Sequence, residues 1–238
     1  MKIGQHMSAP ITLKVMTSNA LRTVFHDLLP AFENAHPIKV DASYDPAKRV
    51  EIRLAAGETA DVAVSNLPAI ERMIRENILD AASRREFAHY GIGIAVKAGA
   101  AKPDISTVVA FKRTLLEARS IACTIDGASG IYFAELIMRL DVADMVNAKA
   151  SRQPGGLCAE QLLDGRADIA IQQVPELLAA GPGIELAALL PAELQKMSVL
   201  SAGVFKASTH TEAGRCFIDF LATPASLQTL KAAGFDPL

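Results

Sequence analysis

Short apolar runs rich in valine and isoleucine alternate along the chain with longer segments whose apolar residues recur at helical spacing. This alternation is typical of strand–helix units wrapped around a mostly parallel sheet. The runs predicted to be strands are 13–16, 38–40, 61–64, 92–96, 121–123, 169–171 and 199–202. Helices are predicted near 21–34, 47–56, 68–77, 107–118, 130–140, 156–164 and 211–222. The pattern therefore predicts an α/β fold.

One segment of the pattern occurs twice. Residues 60–68, Ala-Asp-Val-Ala-Val-Ser-Asn-Leu-Pro, align without a gap with residues 167–175, Ala-Asp-Ile-Ala-Ile-Gln-Gln-Val-Pro, and a glycine, Gly57 or Gly165, precedes each copy. Two similar lobes are the natural inference from such a repeat. A chance match of two short strand–helix units is the alternative.

The two copies nominate polar residues for a cleft. In open α/β sheets ligands bind beyond the carboxyl ends of the strands, where Ser65 and Asn66 follow one strand and Gln172 and Gln173 follow the other. We predict that these side chains face a cleft shared by the lobes. Capping of the following helices is the alternative, and both roles are compatible.

Three further strand-to-helix turns have the character of anion cradles, since helix N-termini present free amides and the positive end of the helix dipole. The first, residues 123–130, offers Ser129 and Gly130. The second, residues 17–21, offers Ser18 and Asn19, and the third, residues 154–156, offers Gly155 and Gly156. Ordinary helix capping explains any one of them, whereas three together favour a binding cleft.

Two cationic residues lie at the start of a further predicted helix. Lys48 and Arg49 follow Asp45-Pro46-Ala47, and positive charge at a helix N-terminus opposes the helix dipole. Pairing with a ligand carboxylate would account for that cost. Extension of both side chains into solvent is the alternative.

Composition excludes several classes of partner. Half of the 238 residues, 50%, are hydrophobic, so the chain can bury a substantial core. The net charge of −2 gives no general field that attracts nucleic acid or anionic lipid. No apolar run approaches the roughly 20 residues of a membrane span. We expect neither nucleic-acid binding nor direct membrane insertion.

The sequence contains no cofactor or metal motif. Cys123, Cys158 and Cys216 lie in apolar surroundings without ligand spacing, and the five histidines form no metal pattern. A GxGxxG fingerprint, a Walker loop and a GxSxG elbow are missing as well. We therefore predict buried thiols, no metal site and no cofactor.

The first ten residues resemble a tag or leader remnant. Residues 1–7 have no apolar core of a secretory signal, and Met7 is a second methionine followed by Ser-Ala-Pro. The interpretation is that a cleaved leader was replaced and that the protein is periplasmic. A cytoplasmic protein is the alternative.

Several motifs, in this order, resemble the molybdate-type periplasmic substrate-binding proteins of ABC transporters, which have the class II periplasmic-binding fold. The resemblance covers the chain from about Ile11 to Pro237 and rests on residues 17–19, 54–57, 60–65, 127–134, 165–173 and 213–224. It implies two lobes joined by a two-segment hinge, with lobe I formed by 11–92 and 201–238 and lobe II by 93–200. It also implies a small anionic ligand and a membrane component of an ABC transporter as partner. No heptad or long apolar stripe calls for a second subunit, so we expect a monomer.

The chain departs from the molybdate pattern at three places. Ala20 stands where the first-loop serine is expected, residues 45–49 replace a serine-rich second loop, and Gln173 replaces a late tyrosine. Cations and amides suit an organic carboxylate better than a metal oxyanion. We therefore expect a di- or tricarboxylate, with Lys48 or Arg49 as its selector.

Three functions stay open. A receptor needs only a complementary cleft and a hinge. The chain also resembles a subgroup of this fold that includes periplasmic aconitate isomerase, which implies an enzyme that moves a double bond within a tricarboxylate. Tyr44, Asp45, Lys48 and Tyr132 are candidates for its chemistry, and no spacing singles one out. The third function is that of the effector domain of a transcription regulator, which has the same fold. The lack of an N-terminal helix-turn-helix argues against this function.

Overall fold

The computed structural model describes residues 11–238, so the residues interpreted as a tag or leader remnant, 1–10, lie outside the described part. The strands are β1 (Ile11–Thr17), β2 (Ile38–Tyr44), β3 (Val62–Asn66), β4 (Arg85–Tyr90), β5 (Ile92–Lys97), β6 (Ile121–Thr124), β7 (Ala150–Gln153), β8 (Ile169–Gln173), β9 (Ile184–Leu189), β10 (Ser198–Val204) and β11 (Asp236–Pro237). The helices are α1 (Arg22–Ala35), α2 (Ala47–Ala55), α3 (Leu67–Arg75), α4 (Val108–Glu117), α5 (Ala128–Arg139), α6 (Ala143–Asn147), α7 (Glu160–Leu163), α8 (Val174–Ala179), α9 (Thr211–Leu221) and α10 (Pro224–Ala232).

The predicted α/β class is confirmed, and each predicted strand coincides with an observed one. The prediction of a helix over 156–164 is wrong in its first half, because only Glu160–Leu163 is helical. Gly156 has a φ of 84°, a left-handed conformation that glycine adopts without strain and that interrupts a helix. In residues 11–238 no helix combines the length and the apolarity that crossing a membrane requires.

The first sheet has the strand order β11-β4-β10-β3-β1-β2. Leu13 and Val15 of β1 are fully buried, as the period of two along a strand requires. Their core contains an aromatic cluster in which Phe217 of α9 contacts Phe25 and Phe32 of α1, with ring centroids 5.7 Å and 5.1 Å apart. The C-terminal helices thus pack on the N-terminal sheet.

The second sheet has the strand order β7-β6-β8-β5-β9. Its core is built from apolar residues of β5, β6 and β8 and from two fully buried phenylalanines, Phe111 of α4 and Phe133 of α5. Both sheets are mixed rather than mostly parallel: β1, β2 and β3 run parallel, as do β6, β7 and β8, while β5 and β10 pair antiparallel with their neighbours. β5 and β10 are the strands that enter each sheet from the other one, and the C-terminal β11 also pairs antiparallel, with β4.

The chain passes between the sheets twice. It leaves the first sheet at Gly91, between β4 and β5, and returns to it between Leu189 and Ser198. Gln195 ties the two crossovers together, because its Oε1 accepts a hydrogen bond from the Ile92 amide at 2.9 Å and its Nε2 donates to the Ile92 carbonyl at 2.9 Å. The bounds given above for the two lobes stay a prediction.

The repeated segment has the same structural role in both sheets. The Asp61 carboxylate accepts a hydrogen bond from the Lys14 amide at 2.8 Å, and the Asp168 carboxylate accepts one from the Arg119 amide at 2.9 Å. Each aspartate thereby fixes the start of its strand, β3 or β8, against the parallel neighbour, β1 or β6. The preceding Gly57 and Gly165 have matching φ values of 83° and 76°.

We predict that Gln195→Ala lowers the free energy of unfolding by about 1–3 kcal/mol, because it leaves the Ile92 amide without its partner and the Ile92 carbonyl with only the Leu190 amide. Urea unfolding at neutral pH measures the change. Gln228→Ala, an exposed position on α10, is the matched control and should change stability by no more than about 0.5 kcal/mol. Equal stability of the two variants would show that Gln195 does not hold the crossovers.

Candidate functional site

A cavity of about 30 Å³ lies between the two sheets. A buried water needs roughly 10–15 Å³ of such space, so the cavity in this closed arrangement has room for about two waters. Both sheets contribute to its wall. The lining residues are Ser18, Asn19, Asp45, Pro46, Ser65, Asn66 and Tyr90 from the first side and Thr124, Gly127, Ala128, Gly155, Gly156, Gln172, Gln173 and Glu176 from the second.

Four of the predicted site residues line the cavity from the first sheet. Ser18 and Asn19 follow β1, and Ser65 and Asn66 end β3, the parallel neighbour of β1. The carboxyl ends of parallel strands meet at one edge of a sheet, which is why these residues converge. The Asn66 Oδ1 accepts a hydrogen bond from the Ala69 amide at 3.0 Å, so this side chain caps α3 as well as lining the cavity.

Gly155, Gly156 and Gln173 line the cavity from the second sheet. The buried side chain of Gln172 fixes the glycine loop: its Nε2 donates to the Gly156 carbonyl at 2.8 Å, and its Oε1 accepts from the Cys158 amide at 3.1 Å. A Cβ atom on Gly155 would lie 2.9 Å from Cγ of Pro46, which belongs to the opposite side of the cleft. The glycine loop thus closes directly onto the N-terminus of α2.

The start of α5 also borders the cavity. Gly127 and Ala128 line it, whereas Ser129 and Gly130 lie one layer behind. Gly130 packs against β6 so closely that a Cβ atom there would lie 1.9 Å from the Thr124 carbonyl oxygen. The N-cap residue of α5 is Gly127, which has no side chain that could accept a hydrogen bond from the first-turn amides. Free amides and the helix dipole make this end attractive to an anion.

Two hydroxyls accompany these amides. Thr124 Oγ1 and Ser129 Oγ are buried, and neither has a hydrogen-bond partner among the described residues. Thr124 lines the cavity itself. A buried hydroxyl without a partner costs free energy, so a site that leaves two of them together is suited to a ligand with acceptor oxygens.

The structure places Lys48 and Arg49 outside the cavity wall. Lys48 is 62% exposed, and its Nζ lies 3.4 Å from Oδ1 of Asp126 in the loop after β6. Arg49 is exposed on α2. The wall, as far as residues 11–238 define it, contains no lysine or arginine. The selector role assigned to these cations stays a prediction, and the geometry itself favours neutral donors.

Two carboxyl groups line the cavity, and their surroundings differ. Asp45 forms an ion pair with Arg53, which also bonds Glu58. Glu176, partly buried at the start of α8, forms no ion pair with a described residue, and burial raises the pKa of its carboxyl to about 7, partly offset by the Gln172 side chain and the Gln173 backbone. Burial likewise raises the pKa of Tyr90, and the nearby Glu176 carboxyl adds to the effect.

Glu176 was not anticipated as a site residue, and Thr124 was included only as part of the turn 123–130, without being singled out. The repeat contained a usable signal for the first of them, since Asn66-Leu67-Pro68-Ala69 aligns with Gln173-Val174-Pro175-Glu176 and places an acid where the other copy has alanine. Nothing in the sequence separates Thr124 from an ordinary strand residue, because its role depends on which helix follows. Of the candidates named for chemistry, Asp45 lines the cavity, while the Tyr132 hydroxyl donates to the Leu194 carbonyl at 2.8 Å.

A larger cavity, of about 450 Å³, lies at the opposite edge of the second sheet. Its wall includes Lys97, Arg119 and Asp168, and the last two form an ion pair with each other. Because this edge holds the starts of the parallel strands and not their carboxyl ends, the cavity between the sheets remains the candidate site.

Two sheets flanked by helices, two crossovers and an intervening polar cavity define a two-lobed periplasmic-binding fold. The chain belongs to the bacterial extracellular solute-binding proteins, whose family profile matches residues 13–236. Among characterised proteins it is similar to the aconitate isomerase of Pseudomonas sp., with 33% identity over 235 residues, 95% of this chain and 88% of that protein.

Solved structures show the same fold. The periplasmic molybdate-binding protein of Azotobacter vinelandii superposes with a TM-score of 0.76 and 20% identity, covering 94% of this chain and 98% of that one. The sulfate-binding protein SubI of Mycobacterium tuberculosis H37Rv superposes with a TM-score of 0.75 and 19% identity, covering 96% and 87%. The resemblance to molybdate-type binding proteins inferred from the sequence is thereby confirmed at the level of the fold.

We expect Lys48→Met and Arg49→Met each to weaken ligand binding by less than about fivefold, because both side chains are exposed outside the cavity wall and the exposed ion pair of Lys48 contributes about 0–1 kcal/mol. Calorimetric titration measures the affinities. Lys39→Met, which removes another exposed ion pair of the first sheet, is the matched control. A loss of one to two powers of ten, the amount roughly expected for a lost charge-assisted bond to the ligand, would restore the selector role instead.

We predict that Gly155→Ala hinders closure of the cleft, because its Cβ atom would meet Pro46 Cγ at 2.9 Å. Overpacking of this kind costs about 1–3 kcal/mol, so ligand affinity should fall by roughly one to two powers of ten. Small-angle scattering should show less compaction with ligand than in the wild type. Adding Pro46→Ala removes the clashing atom and should restore closure; a double variant as weak as Gly155→Ala would contradict this reason.

Proposed function

We propose that the protein binds a small di- or tricarboxylate in the cavity between its two sheets. The observation that carries this proposal is the composition of the cavity wall: neutral hydroxyls and amides from both sides, together with the free N-terminus of α5, converge on one point. Such donors hold an anion without a counter-cation. Both sides of the cleft are needed, so binding and closure are coupled.

The choice of a carboxylate rests on the relatives. Identity with aconitate isomerase is 33%, against 20% with the molybdate-binding protein and 19% with the sulfate-binding protein. The buried Glu176 agrees with this choice, because a protonated carboxyl donates a hydrogen bond to a ligand carboxylate. A cavity of about 30 Å³ is smaller than a tricarboxylate, so the lobes must separate about the crossovers to admit the ligand.

Membership of the extracellular solute-binding family supports a transport role. In this role the protein works in the periplasm as a monomer, captures its ligand by closure and delivers it to the membrane component of an ABC transporter. No second subunit is required, because the binding surface is an internal cleft.

A second function is isomerisation of the bound tricarboxylate. Two observations favour it: the relative at 33% identity is an aconitate isomerase, and a buried carboxyl without an ion-pair partner among the described residues lines the cavity. Moving a double bond needs a group that takes up a proton and donors that stabilise the negative charge left behind. The cavity holds groups of both kinds.

The test of binding is a thermal-shift screen with succinate, citrate, cis-aconitate, trans-aconitate, sulfate and molybdate at equal ionic strength. A ligand present at 100 times its Kd stabilises the folded state by about 2.7 kcal/mol, which raises the melting temperature of a chain of this size by roughly 5–11 °C. We expect such a shift with an aconitate isomer or citrate and none with molybdate. A shift with molybdate alone would refute carboxylate binding.

Proton NMR of the ligand that gives a thermal shift distinguishes a receptor from an enzyme. In the presence of a catalytic amount of protein, an isomerase converts each aconitate isomer to the same equilibrium mixture, whereas a receptor leaves each isomer unchanged. Gly155→Ala is the matched control, since a variant that closes poorly should slow conversion without changing the final mixture.

A further inference from the structure

Glu176 occupies a position where the fold does not require an acid. It is the third residue of α8, a position from which a glutamate or glutamine side chain can reach back to the N-cap amide. The equivalent position of the repeat, at the start of α3, is Ala69. An acid that only capped α8 would be replaceable by glutamine, and it would not need to line the cavity between the sheets, as Glu176 does.

The topology sets this carboxyl beside oxyanion donors. Strands β6 and β8 are parallel neighbours, so the N-termini of α5 and α8, which follow them, lie at the same edge of the second sheet. Glu176 and Thr124 both line the cavity, and the hydroxyls of Thr124 and Ser129 are buried without described partners. The Glu176 carboxyl, the Thr124 hydroxyl and the start of α5 thus border one small space, and the Ser129 hydroxyl lies one layer behind it.

The other acid of the cavity wall is already engaged. Asp45 is held in an ion pair by Arg53. Glu176 has no such partner among the described residues. Of the two carboxyls, Glu176 is therefore the one that can exchange a proton with a ligand.

We propose that Glu176 is the catalytic residue that carries the proton when the double bond of the bound tricarboxylate moves. This inference rests on the second function proposed above. The Glu176 carboxylate takes a proton from the methylene carbon next to the double bond, and the electron pair of that C–H bond shifts into the allylic system and the adjoining carboxylate. The same carboxyl then returns the proton to the far carbon of the allylic system, so that no oxidant or reductant is consumed.

The electrostatics of the cavity suit this role. Near neutral pH the Glu176 carboxyl is present in both forms, since burial raises its pKa to about 7, and a group that accepts and then returns a proton works best there. The titratable groups around it do not compete: burial raises the pKa of the Tyr90 hydroxyl and of the Cys158 thiol, so both stay protonated. The donors at the start of α5 stabilise the enolate-like charge between the two proton transfers.

The test compares the wild-type chain with Glu176→Gln and with Glu135→Gln, an exposed position on α5. Each variant is incubated with cis- or trans-aconitate in D2O; NMR measures isomerisation and deuterium incorporation, and calorimetry measures binding. We expect Glu176→Gln to lower kcat by roughly 10²–10⁴-fold with KM and Kd changed by less than about fivefold, because glutamine keeps the helix cap and cannot carry the proton. Glu135→Gln should match the wild type.

The outcomes distinguish this inference from the functions on which it rests. If Glu176→Gln isomerises and exchanges deuterium as fast as the wild type, the role of Glu176 is refuted and the isomerase function stands. If the wild type binds aconitate without isomerisation or exchange, both are refuted and the binding function stands. Absence of binding refutes all three. Should Glu176→Gln lose its melting transition, Glu176→Asp, which keeps the acid and shortens its reach, must retain slowed exchange.

Discussion

Gln195 and the two short crossovers that it joins determine how the two sheets can move relative to each other. The two sheets are connected through Gly91 and through residues 190–197, and the side chain of Gln195 hydrogen-bonds both backbone groups of Ile92. With both connections in one place, the natural motion is a rotation of one sheet against the other. Such a rotation would open the cleft without disturbing either core, and a bound ligand would favour the arrangement in which both sides of the cleft contact it.

The described wall of the cavity contains no cation. It is formed by backbone amides, amide side chains and hydroxyls together with the carboxyls of Asp45 and Glu176, and Arg53, which pairs with Asp45, also pairs with Glu58. A wall of this kind avoids the large desolvation cost of burying a lysine or arginine. Under the two functions proposed above, receptor and isomerase would share this wall and would differ in the role of Glu176.

The sequence predicted the parts of this structure that depend on local pattern. The alternation of apolar runs located the long strands, and the repeat at 60–68 and 167–175 placed Ser65, Asn66 and Gln173 at the cavity, where Ser18, Asn19, Gly155 and Gly156 also lie. The strands β4, β7, β9 and β11 were missed, since none of them contains a run rich in valine and isoleucine like those of the predicted strands. The sequence could not predict that Ser129 is buried behind the cavity wall or that the Lys48 side chain is exposed. Both positions depend on how the following helix packs across the cleft.

The position of β10 has a consequence for how the chain reaches this fold. β10 lies between β3 and β4 in the middle of the first sheet, yet it is synthesised after the whole second sheet. The second sheet, by contrast, is built from the uninterrupted segment 92–189. On a ribosome the second lobe can therefore fold as soon as this segment has emerged, while β1, β2 and β3 wait with an open edge for a partner made more than a hundred residues later. Until β10 has been synthesised, the unpaired edge of β3 is a place where another strand can pair with the chain.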